Sequence, residues 1–321
     1  MPTLLSESLH GIHGLHLPET TPLSREEVDD ILKNARSATE IILTAGKDPC
    51  LRELLNTPTQ LFEGHTIGEH TEMVLGRLYM YPFLNEKSQS SYPWSLSHRE
   101  FALAYLLHDL GKRLPDAANL DMSKEAQHQR TLTILHHYRP VLPVTDDQLR
   151  VLVALIDGDP LGVPFRQCLP HRPSVQEKEQ LRDQLTACPD LGAYFSCVDS
   201  WERRAAEQSI PEEESTNFLR KAAVEIRTKA HALGMDPLQF LHYQTIFFQC
   251  DASSYTWDAR TPDRRGVPSL DFMFQRNKLA QSPDNLLFKF DHTRGRLCFS
   301  PPFEKLYQTI EGFCIVDLQH Y

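Results

Sequence analysis

The chain has 321 residues, of which 40% are hydrophobic, enough for a sizeable core in one large domain or two smaller ones. Its 33 Lys and Arg residues against 43 Asp and Glu residues give a formal net charge of −10, which argues against general nucleic-acid binding. The 7 cysteines include no CxxC pair, which indicates reduced thiols and argues against a disulfide framework or a zinc finger. Without a signal-peptide pattern or an apolar run of membrane-spanning length, we expect a cytoplasmic protein that does not enter a membrane.

The first predicted helix follows an irregular arm formed by residues 1–22. Ser24 and Glu27 match the S-x-x-E capping box that opens helices, and Gly46 is expected to end this one. Apolar residues recur at helical spacing between these positions, so the pattern predicts a single structural helix from 24 to 46.

Two histidines, His65 and His70, lie close together in the next segment. His70 shares one helical face with Met73, Val74 and Leu78, whereas His65 precedes the predicted helix. An inward histidine is usually a hydrogen-bonded core residue, so this spacing alone leaves both a core role and a metal-ligand role open. We take His70 as the first candidate ligand, and His65 as the fallback and a candidate substrate contact.

The most informative stretch is Leu106-Leu107-His108-Asp109-Leu110-Gly111-Lys112. The run from Phe101 to Leu107 is apolar on nearly every side and predicts a buried helix, opened by a capping box of Ser97 and Glu100. A buried imidazole and a buried carboxylate are costly unless something compensates them. A divalent metal ion compensates both, and Gly111 is expected to break the helix just beyond the pair.

A helix from Ser123 to Tyr138 should follow, with His128, Leu132 and Leu135 on one inward face that His136 shares. Since eight helical residues span about 12 Å, the two histidines cannot serve one site. The spacing leaves open whether His128 is a functional residue or a core histidine.

The next predicted helix, 145–156, ends at Asp157. A carboxylate is disfavoured at a helix C-terminus by the macrodipole. Asp157 is therefore either a turn residue tolerated beside Gly158 or a functional carboxylate. The proline-rich stretch 160–176 that follows is a connector or a cover for a phosphate site.

A last candidate ligand lies in the apolar segment 191–201, where Asp199 is expected inside a helix. An aspartate there needs a partner. Arg203 or Arg204 could supply a salt bridge, and a metal ion could take their place.

The remaining residues predict helices at 216–233 and 237–249, a β-hairpin of strands 286–290 and 296–299, and a short helix from Pro301. No chemistry is recognisable in this part of the sequence.

Together, His70, the His108-Asp109 pair and Asp199 resemble the signature of the HD superfamily of metal-dependent phosphohydrolases, across roughly residues 60 to 205. The resemblance implies a mainly α-helical fold, an HD-type helical bundle with a mixed α/β C-terminal extension. We expect an N-terminal arm and helical extension at 1–59, the HD hydrolase domain at 60–210, and a C-terminal extension of helices and a β-hairpin at 211–321.

The resemblance also implies a ligand set for one divalent ion, which would be Mn²⁺, Fe²⁺, Co²⁺, Ni²⁺, Zn²⁺ or Mg²⁺. Asp109 would also orient the attacking water, and Lys112, with Arg113 as second choice, would neutralise the phosphate. His128 fits the place of an auxiliary histidine of the family and would protonate the leaving oxygen. The four ligands would be His70, His108, Asp109 and Asp199.

The expected function is hydrolysis of a phosphomonoester or phosphodiester in a nucleotide or a nucleic-acid end. One alternative is a di-iron oxygenase of HD type, which needs more histidines, and Asp157 stands where two-metal members tend to have one. The other is a non-catalytic signalling or scaffold module, which usually lacks the ligands. Substrate, native metal and oligomeric state are left open by the sequence.

Overall fold

The computed structural model describes residues 17, 21–59, 65–79, 96–112, 123–168, 212–252, 254, 288–291, 296–299 and 301–315, and isolated positions between 176 and 200. These residues are mainly helical, as expected. The chain divides into two compact units, Met1–Gly158 and Asp159–Tyr321, while the predicted domain boundaries stay predictions. Among the described residues, no helix is both long enough and apolar enough to cross a lipid bilayer.

The first unit opens with three short helices, α1 (Arg25–Asn34), α2 (Ala38–Ala45) and α3 (Pro49–Asn56). The expectation of one helix from 24 to 46 is therefore wrong. The chain leaves helical geometry before Ser37, whose side chain accepts a hydrogen bond from the Glu40 N–H and starts α2. A local cap offers the backbone an alternative to a continuous helix, and here it prevails over the apolar spacing.

Helix α4 (Ile67–Leu78) begins with a capping box formed by Thr66 and Glu69. Two backbone hydrogen bonds tie its entry to the preceding segment, from Thr59 N–H to the His65 carbonyl and from Ile67 N–H to the Thr57 carbonyl, each 2.9 Å. The face predicted for this helix is confirmed at His70, Val74 and Leu78, which are all fully buried.

Helix α5 (His98–Leu107) has the predicted capping box of Ser97 and Glu100 and is buried from Glu100 to its end. His108 is its C-terminal cap residue, and the chain then turns. The Leu110 N–H donates to the Leu107 carbonyl at 3.3 Å, and the Lys112 N–H donates to the Asp109 carbonyl at 2.9 Å. We call residues 108–112 the His-Asp turn.

Helix α6 (Lys124–Tyr138) packs directly on this turn at Gly111. The Gly111 N–H donates to the Thr131 hydroxyl at 3.1 Å, and Nε of Arg130 donates to the Gly111 carbonyl at 2.8 Å. A Cβ on Gly111 would lie 2.4 Å from the Gln127 carbonyl oxygen and 2.4 Å from the Thr131 nitrogen. Among the described glycines, positive φ occurs at Gly158 and Gly234. The sequence predicted that Gly111 ends α5, but α5 already ends at Leu107. Gly111 is instead required for the close approach of α6 to the His-Asp turn.

The inward face of α6 also differs from the predicted one, because His136 is exposed and His128 is half-buried. Leu135, which was predicted on the same face, is buried as expected, and Arg130, Thr131 and Ile134 are buried as well. A 3₁₀ turn, Arg139–Val141, connects α6 to α7 (Asp146–Ile156), which ends at Asp157 as predicted.

The second unit contains α8 (Gly162–Gln167), α9 (Glu212–Leu233), α10 (Pro237–Ala252), β1 (Phe288–Asp291), β2 (Arg296–Phe299) and α11 (Pro301–Ile315). The two strands pair antiparallel, with Phe288 opposite Phe299, and they lie close to the strands predicted at 286–290 and 296–299. The Phe165 ring packs edge-on against Phe248 and Phe299 in the core of this unit.

We predict that Gly111→Ala lowers the free energy of unfolding by about 2 kcal/mol or more, since overpacking against backbone atoms leaves little room to relax. Gly76→Ala is the matched control, because no atom lies within 4 Å of its added Cβ. That helical substitution should instead stabilise the protein by about 0.5–1 kcal/mol. Urea denaturation of both variants measures the difference, and equal effects would contradict the close approach of α6.

Candidate metal centre

Three of the predicted ligands come together at one buried position. His70 projects from α4, while His108 and Asp109 follow the end of α5. Nε2 of His70 and Nε2 of His108 each lie 3.4 Å from the same carboxylate oxygen, Oδ2 of Asp109. One ligand atom from each residue lies within 4.8 Å of the others. Because the His70 side chain is 0% exposed and the other two are each 7% exposed, water has little access to this group.

The arrangement follows from where α5 ends. In mid-helix, adjacent side chains diverge by about 100° around the axis, since a turn takes about 3.6 residues. His108 is the cap residue and Asp109 lies in the turn beyond it, which lets both side chains approach the same point. Helix α4 supplies His70 opposite them from its buried face.

The ring of His108 is oriented by a hydrogen bond between Nδ1 and the Tyr105 carbonyl oxygen at 2.6 Å. A carbonyl can only accept, so Nδ1 carries the proton in this bond. In the neutral ring, Nε2 then has a lone pair, and it lies 3.4 Å from a carboxylate oxygen. These two electron-rich atoms repel each other unless a proton or a metal cation lies between them. A ring with its proton on Nδ1 and a lone pair on Nε2 has the protonation state that a metal ligand requires.

The spacing of the group fits a divalent ion. Two ligands that are each about 2.1 Å from one ion, at about 90–110°, lie about 3.0–3.4 Å apart. Both nitrogen-to-oxygen distances here are 3.4 Å. Two imidazole nitrogens and a carboxylate oxygen suit the transition-metal ions expected from the sequence.

Lys112 brings a positive charge to the same oxygen. Its Nζ atom lies 2.5 Å from Oδ2 of Asp109, and its side chain is 29% exposed. The ammonium therefore lies between the buried group and solvent. Because it binds the oxygen that both histidines face, it competes electrostatically with any cation bound there.

His128 lies outside this group. Its Nδ1 atom is 3.1 Å from Oδ1 of Asp157, and its Nε2 accepts a hydrogen bond from the Gly158 N–H at 3.3 Å. The residue lies on the turn of α6 that carries Gln127 and Thr131, against which Gly111 packs. Its catalytic role stays a prediction, and Asp157, whose role the sequence left open, is its hydrogen-bonding partner.

His65 is only 1% exposed and directly precedes the cap residue of α4. Its predicted contact with substrate stays a prediction. Asp199 and Arg113 lie outside the described residues, so the fourth ligand and the second phosphate-binding cation also stay predictions.

Sequence reasoning missed the Tyr105 carbonyl as the group that orients His108. A usable signal existed, since the last carbonyls of every helix have no partner within the helix. A histidine at the C-terminal cap, three residues after Tyr105, can donate to one of them.

Comparisons of the chain with protein-family models, with curated proteins and with solved structures find no match.

We predict that His70→Ala weakens binding of Mn²⁺ at least 100-fold, about 2.7 kcal/mol, because it removes one of the converging nitrogens. His65→Ala is the matched control, since both side chains are buried and both substitutions delete an imidazole. It should retain the metal content of the wild type. Elemental analysis and calorimetric titration with Mn²⁺ measure both variants, after circular dichroism confirms folding. The reverse result would place His65 in the ligand set.

We also predict that Lys112→Met tightens Mn²⁺ binding about tenfold, since a unit of positive charge beside the carboxylate is removed. Lys33→Met, which removes an ammonium paired with Asp29 on α1, should leave the affinity unchanged. Weaker binding in Lys112→Met would mean that the lysine supports the site and does not compete for it.

Proposed function

We propose that this chain is an HD-type, metal-dependent phosphohydrolase that cleaves a phosphomonoester or phosphodiester in a nucleotide or a nucleic-acid end. The observation that supports it best is the buried group in which His70 and His108 both face Oδ2 of Asp109 at 3.4 Å. The sequence resemblance supports the reaction class. The HD-type bundle and the closing ligand Asp199 belong to the proposal.

His70 and His108 would hold the metal through Nε2, and Asp109 through its carboxylate. When bound, a divalent ion supplies Lewis-acid stabilisation to a phosphate oxygen and makes water more acidic. The protein contributes rigidity, because the ligands come from helix α4 and from the capped end of α5. The Tyr105 carbonyl keeps His108 in the tautomer whose Nε2 is available.

The chain's own residues carry the remaining steps. Asp109 has a second carboxylate oxygen, which can accept a hydrogen bond from the attacking water and orient it. Lys112 reaches from Asp109 toward solvent, where its ammonium can neutralise an arriving phosphate, with Arg113 as second choice. His128 would give the proton to the leaving oxygen.

The negative net charge of the chain bears on which class of substrate it would bind. A chain with net charge −10 repels long polyanions, so binding of phosphate has to come from the local cation and metal. A small phosphorylated molecule or a single nucleic-acid end meets that requirement better than a duplex does. A screen of nucleoside monophosphates, cyclic nucleotides and RNA ends with Mn²⁺-loaded protein tests the proposal. Two bound irons with an oxidised-iron absorption band would favour the oxygenase alternative, and absence of bound metal would favour a scaffold.

We predict that Asp109→Ala loses both metal and phosphohydrolase activity, by at least about 10³-fold in kcat/KM or about 4 kcal/mol, while it still folds. The reason is that Asp109 provides the oxygen on which both imidazoles converge. Asp147→Ala is the control, since Asp147 is an exposed acidic residue in the first turn of α7. Full metal content and turnover in Asp109→Ala would refute the site.

A further inference from the structure

A second histidine–aspartate pair lies near the His-Asp turn. The Nδ1 atom of His128 is 3.1 Å from Oδ1 of Asp157, and the Gly158 N–H donates to Nε2 of His128 at 3.3 Å. The histidine comes from α6 and both partners come from the end of α7, so two separate elements hold one ring. Each nitrogen of the His128 ring therefore has a defined partner.

The position of Asp157 is unfavourable for helix stability alone. It is the C-terminal cap residue of α7, where the helix macrodipole disfavours a carboxylate. Gly158 follows with φ of 94°, a conformation that other residues adopt only with strain. This conformation accompanies the approach of its N–H to the His128 ring. The hydrogen bond with His128 gives the carboxylate a compensating partner.

The hydrogen bonds define which nitrogen carries the proton. A carboxylate accepts, so Nδ1 of His128 donates to Asp157, and the Gly158 N–H requires an accepting Nε2. The neutral ring is therefore the Nδ1–H tautomer. When Nε2 takes a proton, it can no longer accept from the Gly158 N–H and becomes a donor itself. The positive ring keeps its bond to the carboxylate, which stabilises it, as in other histidine–aspartate pairs.

The His128–Asp157 pair also lies next to the His-Asp turn and is accessible to solvent. His128 lies between Gln127 and Thr131, whose backbone atoms contact Gly111 of the His-Asp turn. Its side chain is 27% exposed, so a substrate and solvent protons can reach the ring.

We propose that Asp157 is a positioning residue that holds His128 with Nδ1–H on the carboxylate, so that Nε2–H of the charged ring can donate to the leaving oxygen. This role rests on the proposed function. The bond between phosphorus and the leaving oxygen breaks as water attacks, and the Nε2 proton goes to that oxygen. The proton released from the attacking water enters solvent, and solvent returns one to Nε2.

A purely structural pair would only fasten α6 to α7, and the chain offers a control for that reading. Arg139, directly after α6, contacts Asp146 in the first turn of α7 at 2.6 Å. Asp146→Asn therefore removes an ion pair between the same two helical segments and leaves His128 untouched. Its effect measures what fastening alone contributes.

The first measurement needs no activity. Nitrogen-15 NMR of the full chain reports the tautomer of His128, with His128→Gln used for assignment. In Asp157→Asn the Nδ1–H population should fall at least about threefold, whereas Asp146→Asn should leave it unchanged. An unchanged tautomer in Asp157→Asn overturns the positioning role, whatever the turnover.

The second measurement uses the leaving group. With Mn²⁺-loaded protein, Asp157→Asn should lower kcat on phenyl phosphate about 10–100-fold with KM unchanged, because general acid catalysis contributes on this scale. On 4-nitrophenyl phosphate, whose leaving oxygen needs no proton, the loss should be under about threefold. Asp157→Glu should restore part of the loss, and His128→Gln with Asp157→Asn should be no worse than His128→Gln.

Equal losses on the two esters, or the same loss in Asp146→Asn, would overturn the proposal. If the wild type hydrolyses neither these esters nor any substrate in the screen, the proposed function fails. In that case the acid role of His128 fails with it, and the NMR result alone decides whether Asp157 orients the ring.

Discussion

The candidate metal centre depends on one buried carboxylate oxygen, Oδ2 of Asp109. Two imidazole nitrogens lie 3.4 Å from it and the Lys112 ammonium lies 2.5 Å from it. A buried charge is costly unless it is paired and hydrogen-bonded. Among the described residues, the Lys112 ammonium pairs with this oxygen, while the two imidazole nitrogens lie beside it without neutralising it. The same demand for positive charge suits the site to a cation.

Gly111 affects both the packing of α6 and the position of the candidate metal ligands. The residue belongs to the same turn as Asp109, and its missing side chain lets the backbone of α6 approach. Through Thr131 and Arg130, α6 holds both the N–H and the carbonyl of Gly111. A distortion at this contact would move the candidate ligands as well as the helix. The stability of this packing and the geometry of the candidate site therefore depend on the same few atoms.

Local signals in the sequence predicted this fold better than periodicity did. The capping box of Ser97 and Glu100 and the buried run after it were predicted correctly, because a cap depends only on residues that are close in the sequence. The break before Ser37 was missed, since the apolar spacing continues across it and was given more weight than the local cap at Ser37. Spacing placed His128 and His136 on one face but could not show that His136 is exposed. The partner of His128 is 29 residues away along the chain, and no local pattern predicts such a contact.

Both candidate groups lie where a helix ends, and a common reason follows from helix physics. The last carbonyls of a helix have no partner within it, and the C-terminus disfavours carboxylates. At α5 the Tyr105 carbonyl accepts from His108, and Asp109 is compensated by Lys112. At α7 Asp157 is compensated by His128. In each case a helix end creates an electrostatic demand that a histidine or a cation meets, and this leaves a ring nitrogen in a defined protonation state. Helix termination therefore determines the tautomer of a histidine at both groups.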